Sequence, residues 1–421
     1  MQQITIPFGS GTQSCSISDE HSIEWIVPPE IPGSENPLKV IEKALSHPLD
    51  FQFPSGIDHV AIAVNDKTRP VPHHHILPPL LDWLNQHHIP DEKITLLIAT
   101  GTHLPMKQEE IRSLIPLEVL ERVNCISHDC DNAEQLVFIG VTSRGTPVWV
   151  NQKFAQADLK ICTGDIEPHH FAGFSGGVKT AAIGLAGRKT VNRNHAWITD
   201  PKAWIGIYEG NPLREDIEEI GSLMGVDFVL NTILNEKKEI VHALAGHPRQ
   251  VMKTGIPLAL KICTTEDKGL FDLVIASAGG YPKDINFYQA QKALTHATTI
   301  IRKGGTIILV AECREGSGNQ AFEEFMKDVS TPDEVFAKFA QQPFRVVGPH
   351  KGYQVARIVR DYHVYLVSTI SPEIVKNWLI QPCDTLKNAV NLALADIKGI
   401  VRIGVMPYAT TTLTVSSRNI F

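Results

Sequence analysis

The chain has 421 residues, a formal net charge of −7 and a pI near 6.2. Its length exceeds what one hydrophobic core of roughly 250–300 residues fills, so two domains are expected. The acidic balance, with no run of lysine or arginine, excludes nucleic acid as the expected partner.

No stretch approaches about 18 uninterrupted apolar residues, and the opening Met1-Gln2-Gln3-Ile4 lacks the charged and apolar regions of a signal peptide. The sequence therefore predicts a soluble cytoplasmic protein with no membrane partner. Its seven cysteines are scattered and form no Cys-x-x-Cys pair, which predicts buried thiols rather than disulfides or a zinc site.

Residues 1 to about 52 alternate strand-like pieces with proline-rich connections and one helical run over 37–46. From Asp58 apolar strands alternate with helices, the signature of a βα sheet. A strand over 59–65 delivers Asp66-Lys67-Thr68-Arg69-Pro70 to a loop, followed by a helix over 75–87. A strand over 94–99 ends in Thr100-Gly101-Thr102-His103, before a helix over 107–115. Strands over 136–141 and 147–151 precede a buried strand over 158–163 that stops at Gly164. Helices over 188–196 and 212–223, strands over 227–233 and 239–243, and a helix over 247–262 follow.

A boundary near Lys268 starts a second series: strand 271–277, the run Tyr288-Gln289-Ala290-Gln291-Lys292, strand 305–311, helices 320–327 and 333–340, strand 363–368 and helix 385–396. The expected organisation is α/β, two domains with a cleft between them: 1–267, 268–398, and a 399–421 segment whose strand over 400–406 can return to the first.

The chemistry concentrates in the glycine-rich segment from Gly164 to Lys179, with His195 sixteen residues beyond it. Carboxyl ends of strands are where open α/β sheets bind ligands. Gly173, Gly176, Gly177 and Gly184 permit close approach of a ligand to the backbone. The segment misses a P-loop, because valine stands where the second glycine should precede Lys179-Thr180. Asp66 and Arg69 read either as a ligand fork or as a loop ion pair. Gln289 and Lys292 share a helix face, suited to a hydroxyl and a carboxylate or simply to solvent. Tandem histidines at 73–75 and 87–88 diverge too far around a helix to share a metal ion. Of His169 and His170, only one can readily face a cleft.

In combination, Asp66-Lys67-Thr68-Arg69-Pro70, Gly101-Thr102-His103-Leu104-Pro105, the run from His169 to Lys179, His195 and Tyr288-Gln289-Ala290-Gln291-Lys292 resemble the lactate racemase family with a nickel-pincer cofactor. The resemblance implies a pyridinium mononucleotide bis-thiocarboxylate joined to Lys179, with nickel held by its carbon and sulfurs and by His195. Soft sulfur donors with an imidazole suit that ion. It further implies that the loop from Asp66 through Lys67 and Thr68 to Arg69 holds the mononucleotide, mainly its phosphate. His103 and His169 become the acid–base pair, and Arg69, Tyr288, Gln289 and Lys292 hold a small 2-hydroxy acid. Hydride would pass to the cofactor and back, and separate maturation enzymes would build it. Two positions depart from the family pattern: Ile183-Gly184 replaces Pro-Gly, and Leu104 follows the first histidine, where arginine is frequent.

Two other readings compete. A dinucleotide-dependent oxidoreductase lacks a Gly-x-Gly-x-x-Gly directly after a strand. A non-enzymatic hydroxy-acid or metabolite sensor would have no use for so many acid–base groups.

Overall fold

The computed structural model describes residues 1–266, 268–341 and 348–415. The chain divides into two compact units, Glu30–Ile262 and the combination of Met1–Pro29 with Cys263–Phe421.

The Glu30–Ile262 unit is built on a six-stranded sheet ordered Ile240–Gly246, Phe228–Leu234, Leu159–Asp165, Val60–Asn65, Ile94–Ala99, Asn124–Ser127. Every neighbouring pair is parallel except the edge strand Ile240–Gly246, which runs antiparallel to Phe228–Leu234. Burial on both faces explains why these strands read as unbroken apolar runs. Val60, Ile62, Val64, Leu96, Ile98, Leu159, Ile161 and Leu230 form one core with Ile76, Leu80 and Leu84 of the helix His73–Gln86. From Val60–Asn65 the chain adds strands on one side and then crosses to the other with Leu159–Asp165. The switch point thus lies between the carboxyl ends of these two strands.

The second unit carries another six-stranded sheet, entirely parallel, ordered Gln381–Cys383, His363–Val367, Ile301–Val310, Phe271–Ser277, Arg402–Met406, Ser22–Trp25. Both units are α/β, in line with the expected fold class.

The division differs from the expected one at two places. Ser22–Trp25 pairs with Arg402–Met406, and the hairpin Gln2–Phe8/Gly11–Ile17 contributes Ile4, Ile6, Cys15 and Ile17 to the second core. The first 29 residues thus lie with the second unit rather than the first. Arg402–Met406 likewise stays there, hydrogen-bonded to Phe271–Ser277, so the 399–421 segment does not return to the first domain. Residues 416–421 of that segment lie outside the described residues. Among the described residues no helix is long and apolar enough to cross a membrane.

Candidate functional site

The turn after Val60–Asn65 is locked by Asp66. Its Oδ1 accepts from Thr68 N at 3.1 Å and from Thr68 Oγ1 at 2.6 Å, while Oδ2 lies 2.7 Å from His103 Nδ1. Burial pushes the Asp66 carboxyl up, but the hydrogen bonds and charge of His103 and the Thr68 contacts outweigh it and hold the carboxyl below its ordinary range. A carboxylate accepts only, so His103 carries its hydrogen on Nδ1 and presents Nε2 as the lone-pair nitrogen. His103 itself is exposed, on the turn after Ile94–Ala99.

Lys67 and Arg69 of the same turn pair with Glu110 and, at 3.4 Å, with Glu167. The Arg69–Glu167 pair ties together the two loops that leave the switch point. The structure thus gives Asp66 a histidine partner and both cations of this loop an acidic one.

After Leu159–Asp165 the chain makes a short antiparallel pairing, Pro168–His169 against Gly173–Phe174. His169 and His170 are both buried, with rings stacked at 4.5 Å. His169 Nδ1 accepts from Ala172 N at 3.2 Å, so its neutral ring carries hydrogen on Nε2, the opposite tautomer to His103. Phe171 sets its edge against His169 at 4.6 Å and against His195 at 5.1 Å, which brings these two predicted site histidines into one aromatic cluster.

The glycines of this loop are packed against the protein itself. Gly173 has φ +73°, and a Cβ there would lie 2.0 Å from Ile207 O. Gly177 has φ +63°, and a Cβ would lie 2.8 Å from Met252 Cγ. Glycine is required because the backbone is left-handed and protein already fills the space. Buried side chains brace the loop: Arg214 donates to Phe174 O at 2.9 Å and Gly176 O at 3.1 Å, and Asn231 Oδ1 accepts from Gly177 N at 2.7 Å. Arg214 is itself held by Glu218 and stands on the helix Pro212–Met224, which Asn211 caps and Gly225 ends. Neither Arg214 nor Asn231 is legible as a site residue in the sequence, since nothing in their spacing points back to the loop.

Lys179, half-buried, opens the short helix Lys179–Gly184, and His195, half-buried, closes the helix Arg188–His195. His195 Nδ1 lies 3.2 Å from Asn194 Oδ1, which makes Nε2 the nitrogen suited to ligation. The tandem histidine His73 is a core residue: burial pushes it down to about 4, and its Nε2 donates to Asn65 O at 3.0 Å.

In the second unit Gln289 and Lys292 come together, with Lys292 Nζ donating to Gln289 Oε1 at 2.6 Å. They fall in successive short helices, Phe287–Ala290 and Lys292–Ala297. Burial pushes the Tyr288 hydroxyl upward, and its oxygen is 3.5 Å from His350 Nε2. Lys351 Nζ sits 5.1 Å from the Tyr288 ring centroid. Sequence reasoning misses His350 and Lys351; the Gly348-Pro349 helix start is the available signal.

Histidines backed by a carboxylate (His103) and a carboxamide (His195), on loops and helix ends around a parallel sheet, are the kind of groups that a small-molecule enzyme of the α/β type uses. The N-terminal domain family of lactate racemase matches residues 8–206, and the C-terminal domain family residues 267–412. The chain belongs to the lactate racemase family and is an isomerase. It is similar to lactate racemase of Thermoanaerobacterium thermosaccharolyticum, 30% identical over 419 residues, 97% of this chain and 98% of the relative. Lactate racemase of Lactiplantibacillus plantarum is 32% identical over the same shares. The solved lactate racemase apoprotein from T. thermosaccharolyticum superposes with a TM-score of 0.91 at 29% identity, covering 99% of this chain and 100% of that one. A Thermotoga maritima protein, with a TM-score of 0.67 at 18% identity over 90% of this chain and 97% of its own, shares the fold alone. Family membership sets aside the oxidoreductase and sensor readings.

Proposed function

We propose that this chain interconverts the stereoisomers of a 2-hydroxy acid, lactate or a larger relative, as a racemase or epimerase. The observation that carries the reading is a pair of histidines in opposite tautomers beyond one sheet edge, His103 against Asp66 and His169 against Ala172 N. Inverting a carbon that bears a hydroxyl by way of its ketone requires the carbon-bound hydrogen to leave with its electron pair and return on the other face, while the hydroxyl proton is taken up and given back. Two imidazoles can serve the proton's part of this, one for each stereoisomer. His103 takes the hydroxyl proton on Nε2, and Asp66 stabilises the imidazolium that forms. His169 meets a substrate oxygen with its Nε2–H, and accepting a proton there requires it to give up Ala172. Asp66 therefore serves as the partner of His103 rather than as a phosphate contact, since a buried carboxylate repels phosphate.

Imidazole, with an ordinary pKa of about 6.5, is too weak a base for the α-hydrogen, so the reading includes a nickel-pincer nucleotide on Lys179 with His195 as a metal ligand. The residues fit: Lys179 is a half-buried amine on a braced loop, and His195 is fixed through Nδ1, which suits Nε2 to ligation. When bound, that group would supply reversible hydride acceptance. Lys67, Thr68 and Arg69 would hold its phosphate, Arg69 exchanging its Glu167 pair for an anion. Tyr288, Gln289 and Lys292 would hold the substrate, Lys292 facing its carboxylate. Maturation enzymes in the cytoplasm would supply the cofactor.

The test is chiral chromatography of a panel of 2-hydroxy acids with protein co-produced with cofactor-making enzymes. The adduct on Lys179 is confirmed by intact mass. At least one acid should racemise, and His103→Ala or His169→Ala should lower kcat by about 100-fold or more while the adduct persists. An adduct-bearing protein that inverts no acid sinks the proposal.

A further inference from the structure

Asn194 is fully buried in the last turn of the helix Arg188–His195. Its Nδ2 donates to Leu213 O at 3.0 Å and to Asp216 Oδ2 at 2.9 Å. Both are oxygen acceptors, so the amide cannot flip, and Oδ1 is the end that faces His195 Nδ1. Asp216, also fully buried, is fixed in turn: Oδ1 accepts from Thr142 Oγ1 at 2.6 Å and Oδ2 from Thr146 Oγ1 at 2.9 Å. The Thr142–Thr146 turn closes on itself, with Thr146 N donating to Thr142 Oγ1 at 3.1 Å. Three segments far apart in sequence thus converge on one amide.

An acceptor oxygen facing Nδ1 can be met only by an N–H, so the chain from Thr142 and Thr146 through Asp216 and Asn194 dictates the ring's tautomer. We propose that Asn194 and Asp216 are positioning residues that lock His195 with hydrogen on Nδ1 and the lone pair on Nε2 before any ligand arrives. The part of this inference that concerns nickel rests on the reading of His195 as a metal ligand; the tautomer lock does not. A network that merely joined the Thr142–Thr146 turn to the two helices would be indifferent to which ring nitrogen carried the hydrogen.

Long-range nitrogen NMR on histidine-labelled apoprotein, with His195 assigned by its loss in His195→Gln, reads the tautomer directly. Wild-type His195 should show a protonated Nδ1 and an unprotonated Nε2; hydrogen on Nε2 in the wild type overturns the proposal without any variant. In Asn194→Leu and Asp216→Leu the Nδ1–H form should give way to a mixture. Asp216→Asn, whose side-chain oxygen can still accept from Asn194, should retain the wild-type pattern. A folded Asn194→Leu protein with an unchanged tautomer also overturns the proposal. In cofactor-loaded protein, nickel loss to a chelator should quicken about 10- to 100-fold in Asn194→Leu, with the Lys179 adduct intact by mass. If His195→Ala retains nickel as the wild type does, the ligand reading fails while the tautomer result stands on its own.

Discussion

An asparagine in place of Asp66 would be a harsher change than its shape suggests. Thr68 N and Oγ1 both donate to one carboxylate oxygen, so the carboxamide oxygen of Asp66→Asn would stay with them and its NH2 would face His103 Nδ1. The ring would then be forced into the other tautomer, with no lone pair on Nε2. Asp66→Asn is expected to lower kcat by about 1,000- to 10,000-fold in loaded enzyme, with the Lys179 adduct unchanged by mass, as for other carboxylate–histidine pairs. The sign of the pH effect comes from the depressed carboxyl. Its stabilising contribution is present above the unfolded value near 3.8 and is lost as pH falls through the lower folded value. Urea midpoints should therefore fall less steeply with acid below pH 4 in Asp66→Asn than in the wild type. At this scale the sequence reveals residue types at strand ends but not their partners. Asp66 and His103 are 37 residues apart, and only the parallel pairing of their strands makes them neighbours.

At the scale of elements, the apolar runs mark most strands and the glycine-rich loop is visible as a loop. What the glycines do is not legible, because a left-handed φ required for protein packing and one required for a ligand leave the same residue in the sequence. Gly173→Ala should destabilise the protein by about 2 kcal/mol or more, given the strained φ and the carbonyl of Ile207 in the space a Cβ needs. Arg214→Met should cost about 3–5 kcal/mol, since it strands the half of a buried pair that Glu218 supplies and unties two loop carbonyls. Both losses are read from urea unfolding of apoprotein. Unchanged stability in either would mean that the loop is not braced as described. The helix Pro349–Asp361 escapes sequence reading for a related reason. Polar residues at its buried start, His350 and Lys351, break the apolar stripe that Val355, Ala356 and Ile358 continue.

At the scale of the molecule, the chain starts in one unit, builds the other as a continuous segment, and returns. Chain order suggests that the first 29 residues belong with the segment immediately after them. A strand such as Ser22–Trp25 carries no mark of its pairing with residues nearly four hundred positions away. The consequence is testable by excision. Glu30–Ile262 contains its whole sheet and the core around Ile62, Leu96, Leu159 and Leu230, so it should fold alone with one cooperative transition in urea. A fragment starting at Cys263 should not. It lacks Ser22–Trp25 and the buried Ile4, Ile6 and Ile17, whose burial contributes about 1.5–3 kcal/mol each. That loss, about 5–9 kcal/mol, rivals the entire stability of a typical domain, about 5–15 kcal/mol. Joining residues 1–29 to the fragment through a flexible linker should restore cooperative unfolding. If the fragment folds equally well without them, the N-terminal hairpin and strand are decoration on that unit rather than part of its core.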